Sequence, residues 1–354
     1  MRLSLRRGVV ASIDRGGGAT VELTVEVNGE RRPAIADRGL TGETEPGDEV
    51  VVNTLALDLG LASGGFDVVH VNLTRGLGGG AEAAGARGEE GRAIKLHYTS
   101  LQHAVDGVEA SGSPGGWGPL HFGGGPIAVL ALHGQLEPVA WAAGQRRPGA
   151  RVGFVQTLGG ALPGGLSRAV GELRARGLLA GHVTAGQAFG GEHEAVTVAG
   201  ALAAGCDALG WDAAIVGPGP GIVGTGSPLG HGGLAALDSA HASLSLGART
   251  VLVPRMSSGD PRARHRGVSH HSATVLGLLL RPVAVAVPAA LPDGLERGEA
   301  LAHHELLPGV PDLEGYRASG LSSRTMGRSL DEDELFFSAA LAGGAVLGEE
   351  LSRV

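Results

Sequence analysis

The sequence predicts a small all-β module followed by a larger three-layer α/β/α domain with a mostly parallel sheet. Three observations support this. Residues 8–74 hold short runs rich in Val, Ile and Thr, punctuated by glycine-containing turns. From Pro126 onward, apolar strand-like runs alternate with segments of helical periodicity. Glycine is extreme, 64 of 354 residues, yet it follows no collagen-like period and lies between apolar runs. It therefore marks loops and close packing, not low complexity.

In order, Val9 to Ile13, Ala19 to Val27, Pro33 to Ala36, Glu49 to Thr54 and Val68 to Leu73 read as strands of a barrel or sandwich spanning residues 1–75. Asn28-Gly29 is a hairpin signal, because both residues tolerate positive φ. Such a module reads as structural or oligomerising, so a homo-oligomer is one expectation. Residues 76–91, rich in Gly, Ala and Glu, read as a linker, and the α/β domain as residues 92–354. Lys95, His97 and Thr99 alternate with Leu96 and Tyr98, which predicts a strand. Its polar face is either exposed or, through Lys95, His97 and Gln102, turned into a site. Asp106 to Gly125 reads as irregular.

Beyond Pro126, strands are expected at Ile127 to Leu132, Pro138 to Ala142, Arg151 to Gln156, His182 to Ala185, Ala213 to Val216, Thr250 to Val253 and Val283 to Val287. Helices are expected at Leu166 to Arg176, Glu192 to Ala204, Leu234 to Leu246 and Ser269 to Leu280, with a last one beginning near Leu330. Asp331 to Glu334 read as charges capping that last helix and not as a metal site.

Composition excludes several functions. The formal net charge is −8, and no Lys/Arg cluster alternates with aromatics, so nucleic acid is not an expected partner. Cys206 is the sole cysteine, which rules out disulfides within the chain and thiolate metal clusters and fits a cytoplasmic protein. It reads as a small buried residue and not a nucleophile. The sole lysine is Lys95, so Schiff-base chemistry could fall only there. The run from Val275 to Leu291 is broken by Arg281, Pro282 and Pro288, and no membrane partner is expected.

The connections locate the function. Helix-to-strand links are short and plain, whereas the strand-to-helix links at 157–165, 186–194, 217–233 and 254–269 are long and polar. In a parallel sheet the latter all leave the carboxyl edge, where ligands bind. In the third link, Gly219, Gly221, Gly224 and Gly226 with Thr225, Ser227 and His231 could form an anion-binding nest. The match to a dinucleotide fingerprint there is discounted, since Gly224, Gly226 and Pro228 would fall in the first turns of the required helix, and no dinucleotide cofactor is expected. The fourth link carries Asp260, Arg264, His265, Arg266, His270 and His271. His265, His270 and His271 are candidate acid–base residues or, with Asp260, ligands of a divalent metal. Arg264 and Arg266 could pair with a phosphorylated ligand. In the second link, Gln187 is a candidate ligand-binding residue and Glu192 a candidate base opening a helix.

Five stretches together resemble an uncharacterised bacterial family, domain of unknown function 3866. They are Lys95-Leu-His-Tyr-Thr-Ser-Leu-Gln102, Gly186-Gln-Ala-Phe-Gly-Gly-Glu192, Gly217-Pro-Gly-Pro-Gly-Ile-Val-Gly-Thr-Gly226, His265-Arg-Gly-Val-Ser-His-His271 and Thr325-Met-Gly-Arg328. The resemblance covers nearly the full length and implies no activity and no catalytic residues. Three functions remain open: an enzyme acting on a small anionic or phosphorylated molecule, a non-catalytic small-molecule-binding or scaffold protein, and a metal-dependent hydrolase using the histidines.

Overall fold

Alternation of buried and outward residues closes the first sheet. The computed structural model describes residues 2–16, 18–60, 65–78, 92–111, 124–291 and 299–353. Two compact units, Met1–Val105 and Asp106–Val354, make up the chain. In the first, β1 (Leu5–Arg15), β2 (Thr20–Val27), β3 (Glu30–Asp37), β4 (Glu49–Asn53) and β5 (Asp67–Asn72) form a closed barrel in the order β1-β2-β3-β5-β4. Val21, Leu23, Val25 and Val27 of β2 point inward with Val50, Val52 and Val69, as a period of two requires. Asn28 and Gly29 take φ of 53° and 81°, the left-handed pair that a two-residue hairpin turn needs. Short helices α1 (Arg38–Thr41) and α2 (Leu55–Asp58) fill the longer links.

Residues 92–105 group with this first unit, although the sequence reading began the larger domain at 92. Here β6 (Arg92–Lys95) pairs with β7 (His103–Asp106). The strand expected through Thr99 stops at Lys95, because Leu96 and Tyr98 adopt positive φ in a turn. Residues 79–91 of the expected linker and 112–123 of the expected irregular stretch lie outside the described residues.

The second unit is an eight-stranded, wholly parallel sheet. Its strands are β8 (Ile127–Leu130), β9 (Val152–Thr157), β10 (Gly181–Ala185), β11 (His193–Ala195), β12 (Ala213–Pro218), β13 (Thr250–Val253), β16 (Ala284–Pro288) and β17 (Glu305–Gly309), in the order β11-β10-β9-β12-β8-β13-β16-β17. Two short ribbons lie outside it: β14 (Met256–Ser257) with β15 (Gly267–Val268), and β18 (Arg324–Thr325) with β19 (Arg328–Ser329). Central strands are buried on both faces and feed two cores. Ile127, Val129, Val155 and Val216 pack with α5 (Val198–Asp207), α6 (Ala235–Ser245) and α7 (His270–Leu278). Ala128, Leu130, Phe154 and Ile215 pack with α3 (Leu136–Arg146), α4 (Arg168–Ala175) and α9 (Glu334–Glu350), and α8 (Leu313–Ala318) adds Tyr316. This is the three-layer α/β/α arrangement.

Two expected elements change type. Pro138 to Ala142 is not a strand but the start of α3. Proline is tolerated in a first helical turn, and the helix reads as apolar throughout because α9 covers it. Glu192 opens no helix. It precedes the edge strand β11, and α5 starts only at Val198, where the Thr197 hydroxyl accepts from the Gly200 amide at 2.9 Å.

One aromatic explains several of the glycines. The Trp211 ring lies over Gly153, Gly181 and Gly205, and a Cβ at Gly153 would fall 2.0 Å from it. Gly153→Ala is expected to expel the ring and cost about 1–3 kcal/mol. At about 2–4 °C per kcal/mol, thermal melting would reveal it, and an unchanged Tm would refute this packing.

Candidate metal centre

Strand order sets the site. Helix α3 follows β8 onto one face of the sheet, while α6 and α7 follow its neighbours β12 and β13 onto the other. The carboxyl ends of β12, β8 and β13 are therefore a topological switch point, where links diverge and leave a crevice. His231 stands at the end of the β12 link, directly before a one-turn helix at 232–234 that leads into α6. His270 and His271 form the first turn of α7, after the β13 link. Ser269 caps that helix by accepting from the His271 amide.

Three imidazoles converge here. One ligand nitrogen from each of His231, His270 and His271 lies within 4.8 Å of the others. The His231 and His271 rings stack at 3.9 Å, with His270 edge-on to both at 5.5 and 4.3 Å. Burial first, then mutual repulsion with His231 and His270, pushes His271 down to about 2. Burial also lowers His231, partly offset by the nearby Pro228 carbonyl, and lowers His270. All three rings are neutral at pH 7, the state in which imidazole ligates a metal. Both His231 ring nitrogens, His270 Nε2 and His271 Nδ1 are buried without a partner of good hydrogen-bond geometry. Four such atoms in one place are costly unless something binds them.

His265, 1 % exposed, borders the trio with its ring 4.8 and 4.9 Å from those of His270 and His271. Its Nδ1 shares a 2.8 Å hydrogen bond with Ser269 Oγ. Burial, then the charges of Arg255 and Arg262, push it down to about 4. The β14–β15 ribbon pins this link at both ends, which gives a loop enough order to hold a fourth imidazole in place.

Asp260, a candidate metal ligand in the sequence, is committed elsewhere. It is fully buried and accepts from Arg262 Nε at 3.0 Å and from Nη2 of Arg262 and Arg255 at 2.9 Å each. These bonds, led by Arg262, hold its carboxyl well below the usual range. Asp333 likewise does not cap its own helix. It accepts from Ser257 Oγ at 2.7 Å and the Ser258 amide at 2.8 Å, and pairs with Arg328 at 2.9 Å.

The glycine loop is largely explained by backbone packing. Cβ atoms at Gly219 and Gly232 would fall 2.2 and 1.8 Å from the carbonyls of Ala161 and Gly159, so the β9 and β12 links meet backbone to backbone. Gly221 and Gly226 take positive φ in open turns, at 74° and 86°. Gly224 bridges to His231, and the Gly232 amide donates to the Val223 carbonyl at 2.8 Å, which makes a small hairpin. Thr225 Oγ1 lies 3.2 Å from both Ser227 Oγ and the Gly230 carbonyl. The hairpin uses these hydroxyls itself, and its main consequence is to deliver His231.

Among the described residues, none of the remaining candidates joins the trio. Gln187 is exposed between β10 and β11, and Glu192 pairs with Arg174. Lys95, buried, and His97, exposed beside Tyr98, belong to the first unit. Arg264 is exposed, and Arg266 donates to the Asp260 carbonyl at 3.0 Å. The Cys206 thiol is pushed up by burial to about 12. A Ser–His pair, His133 Nε2 to Ser167 Oγ at 2.7 Å, is buried, and Ser167 caps α4. It ties two links together. Sequence reasoning missed Arg255, which follows β13 on the carboxyl edge and is only 2 % exposed. That position directly after a strand is the signal that could have found it.

Barrel, parallel sheet and edge cluster together define an α/β protein with a histidine cluster at the carboxyl edge of its sheet. A family model described as a protein of unknown function (DUF3866) matches residues 33–344. The chain belongs to that family. No curated protein and no solved structure matches it. Among the described residues no helix is long and apolar enough to cross a membrane.

Proposed function

We propose that the second unit is a metal-dependent enzyme whose divalent ion is held by His231, His270 and His271. The observation that carries this is the meeting, at the carboxyl edge, of three neutral imidazoles with buried nitrogens that lack a well-formed hydrogen bond. Ligand nitrogens about 2.0–2.1 Å from a tetrahedral ion stand roughly 3.3 Å apart. The observed spacing is within 4.8 Å, so binding an ion would require the rings to draw closer together. Imidazole-only sets suit zinc, iron, nickel or copper over magnesium or calcium.

Three protein ligands mark a catalytic and not a structural site, since a position stays open for water or substrate. Held by these neutral imidazoles, an ion would supply Lewis-acid activation of water toward a small-molecule substrate, as in hydrolysis. His265, neutral at pH 7, is the nearby group for a proton. The test is elemental analysis of protein purified without chelators, followed by zinc titration after stripping. About one equivalent is expected for the wild type, with affinity at least tenfold lower in His270→Ala and His271→Ala. A stripped wild type that takes up no metal overturns the reading.

A further inference from the structure

The charge beside the trio does not balance. Arg255, Arg262 and Arg328 converge on Asp260 at 2.9, 2.9 and 3.5 Å, and Arg328 also meets Asp333 at 2.9 Å. Within this network three guanidiniums face two carboxylates, an excess of one positive charge. Arg262, with 40 % of its side chain exposed, is stabilised by water, but Arg255 is buried. Arg255 spends Nη2 on Asp260, while its Nε is buried with no partner. An unpaired N–H on a buried cation is among the costlier omissions a fold can carry.

The position of Arg255 says what would satisfy it. Its amide donates to Ser272 Oγ at 2.8 Å, and its carbonyl accepts from the Ser269 amide at 2.9 Å. These two serines flank His270 and His271. Arg255's charge reaches His265, His270 and His271, each of which it makes less basic. A divalent ion on three neutral ligands would raise the local positive charge further, and only an incoming anion offsets it.

We propose that Arg255 is the anion-recognition residue of this site. It binds a carboxylate or phosphate group of a small-molecule substrate that also reaches the metal held by His231, His270 and His271. This deepens the metal-centre reading and rests on it. Carboxylate and phosphate share the chemistry, planar or tetrahedral oxygens that accept from a guanidinium edge. Asp260 engages Nη2 of the guanidinium, and Nε is left without a partner.

Cobalt-loaded protein provides the test, because its visible bands report changes in coordination. Phosphate and acetate would be titrated separately into the wild type, Arg255→Lys and Arg255→Met. Saturable band shifts are expected in the wild type, with apparent affinity roughly tenfold or more weaker in both variants at equal cobalt uptake. The larger effect identifies which anion the site prefers. Cobalt binding with no anion response, or with equal response in all three proteins, overturns the proposal and leaves the metal reading intact. If the wild type takes up no cobalt, the metal reading fails, and calorimetric phosphate titration of the metal-free proteins decides. Arg255-dependent binding then sustains the anion site, and its absence overturns it. Should neither variant fold, arginine modification of the wild type by phenylglyoxal replaces them. Phosphate protection of Arg255 supports the proposal and lack of protection sinks it.

Discussion

Replacing Asp260 with alanine is expected to destabilise the protein by about 3–5 kcal/mol, the range for removing one partner from a buried charge network. The carboxylate is fully buried and accepts from Arg262 through the amide, Nε and Nη2, and from Arg255 through Nη2. Without it, Arg255 keeps its charge in a dry environment with no carboxylate in ion-pair contact and only the longer-range charge of Asp333 opposite it. Arg262 can turn outward, so most of the cost falls on Arg255. Asp260→Asn keeps the shape and acceptor oxygen but not the charge, and a smaller loss is expected. Denaturant unfolding of the two variants measures this, and an alanine variant within about 0.5 kcal/mol of the wild type would show the network to be ornamental. Since Asp260 is spent on guanidiniums, the folded asparagine variant should still take up metal in the wild-type ratio. Loss of metal at unchanged stability would instead make Asp260 a ligand.

The edge of the sheet was legible from the sequence, but the site's composition was not. Contrast between short helix-to-strand and long strand-to-helix links placed the candidate site at the carboxyl edge without any motif. The structure puts His231, His270 and His271 there together. Which residues meet there was harder to read, because the proposed metal trio depends on contacts between two links separated by a strand and a helix. Local spacing in H-x4-H-H says nothing about His231. Asp260 fell into the candidate ligand set on residue type alone, and its arginine partners, among them Arg328 far along the chain, are visible only in three dimensions.

Glycine misled for a related reason. A glycine loop after a strand signals either close approach to a ligand or close approach of two backbones. At Gly219 and Gly232 it is the second. The barrel was the easiest part to read, since its β-branched runs alternate strictly and Asn28-Gly29 fixes a turn. The edge strands were the hardest. β11 has three residues and β17 contains Pro308, so neither carries a clear period.

Acid should weaken the fold well before the carboxylates titrate. Burial pushes both His133 and His182 down to about 4, from an ordinary value of 6.5. His133 is held neutral with Nδ1 toward the Pro218 carbonyl at 3.0 Å and Nε2 toward Ser167, while His182 stacks on Phe154 with Nε2 buried and unpartnered. The unfolded chain binds these protons near pH 6.5 and the folded chain does not, so stability rises with pH and falls as pH drops below 6.5. Each pH unit between 6.5 and about 4 costs about 1.4 kcal/mol per group. By pH 5 that is about 2 kcal/mol for each histidine and about 4 kcal/mol for the pair, added to any share from the clustered imidazoles at the carboxyl edge. Carboxylates held below their usual range, such as Asp48 and Glu305, lose their contributions only as pH falls through about 4 and lower. Glu137, which burial raises above its ordinary range, gains stability as it is protonated, so the loss in the window from 6.5 to 5 belongs to imidazole. Urea unfolding at pH 7.5 and pH 5 should show the loss. His182→Leu, which has no proton to gain, should lose about 2 kcal/mol less across the same interval. Identical pH slopes for this variant and the wild type would mean that His182 is not held neutral by its burial.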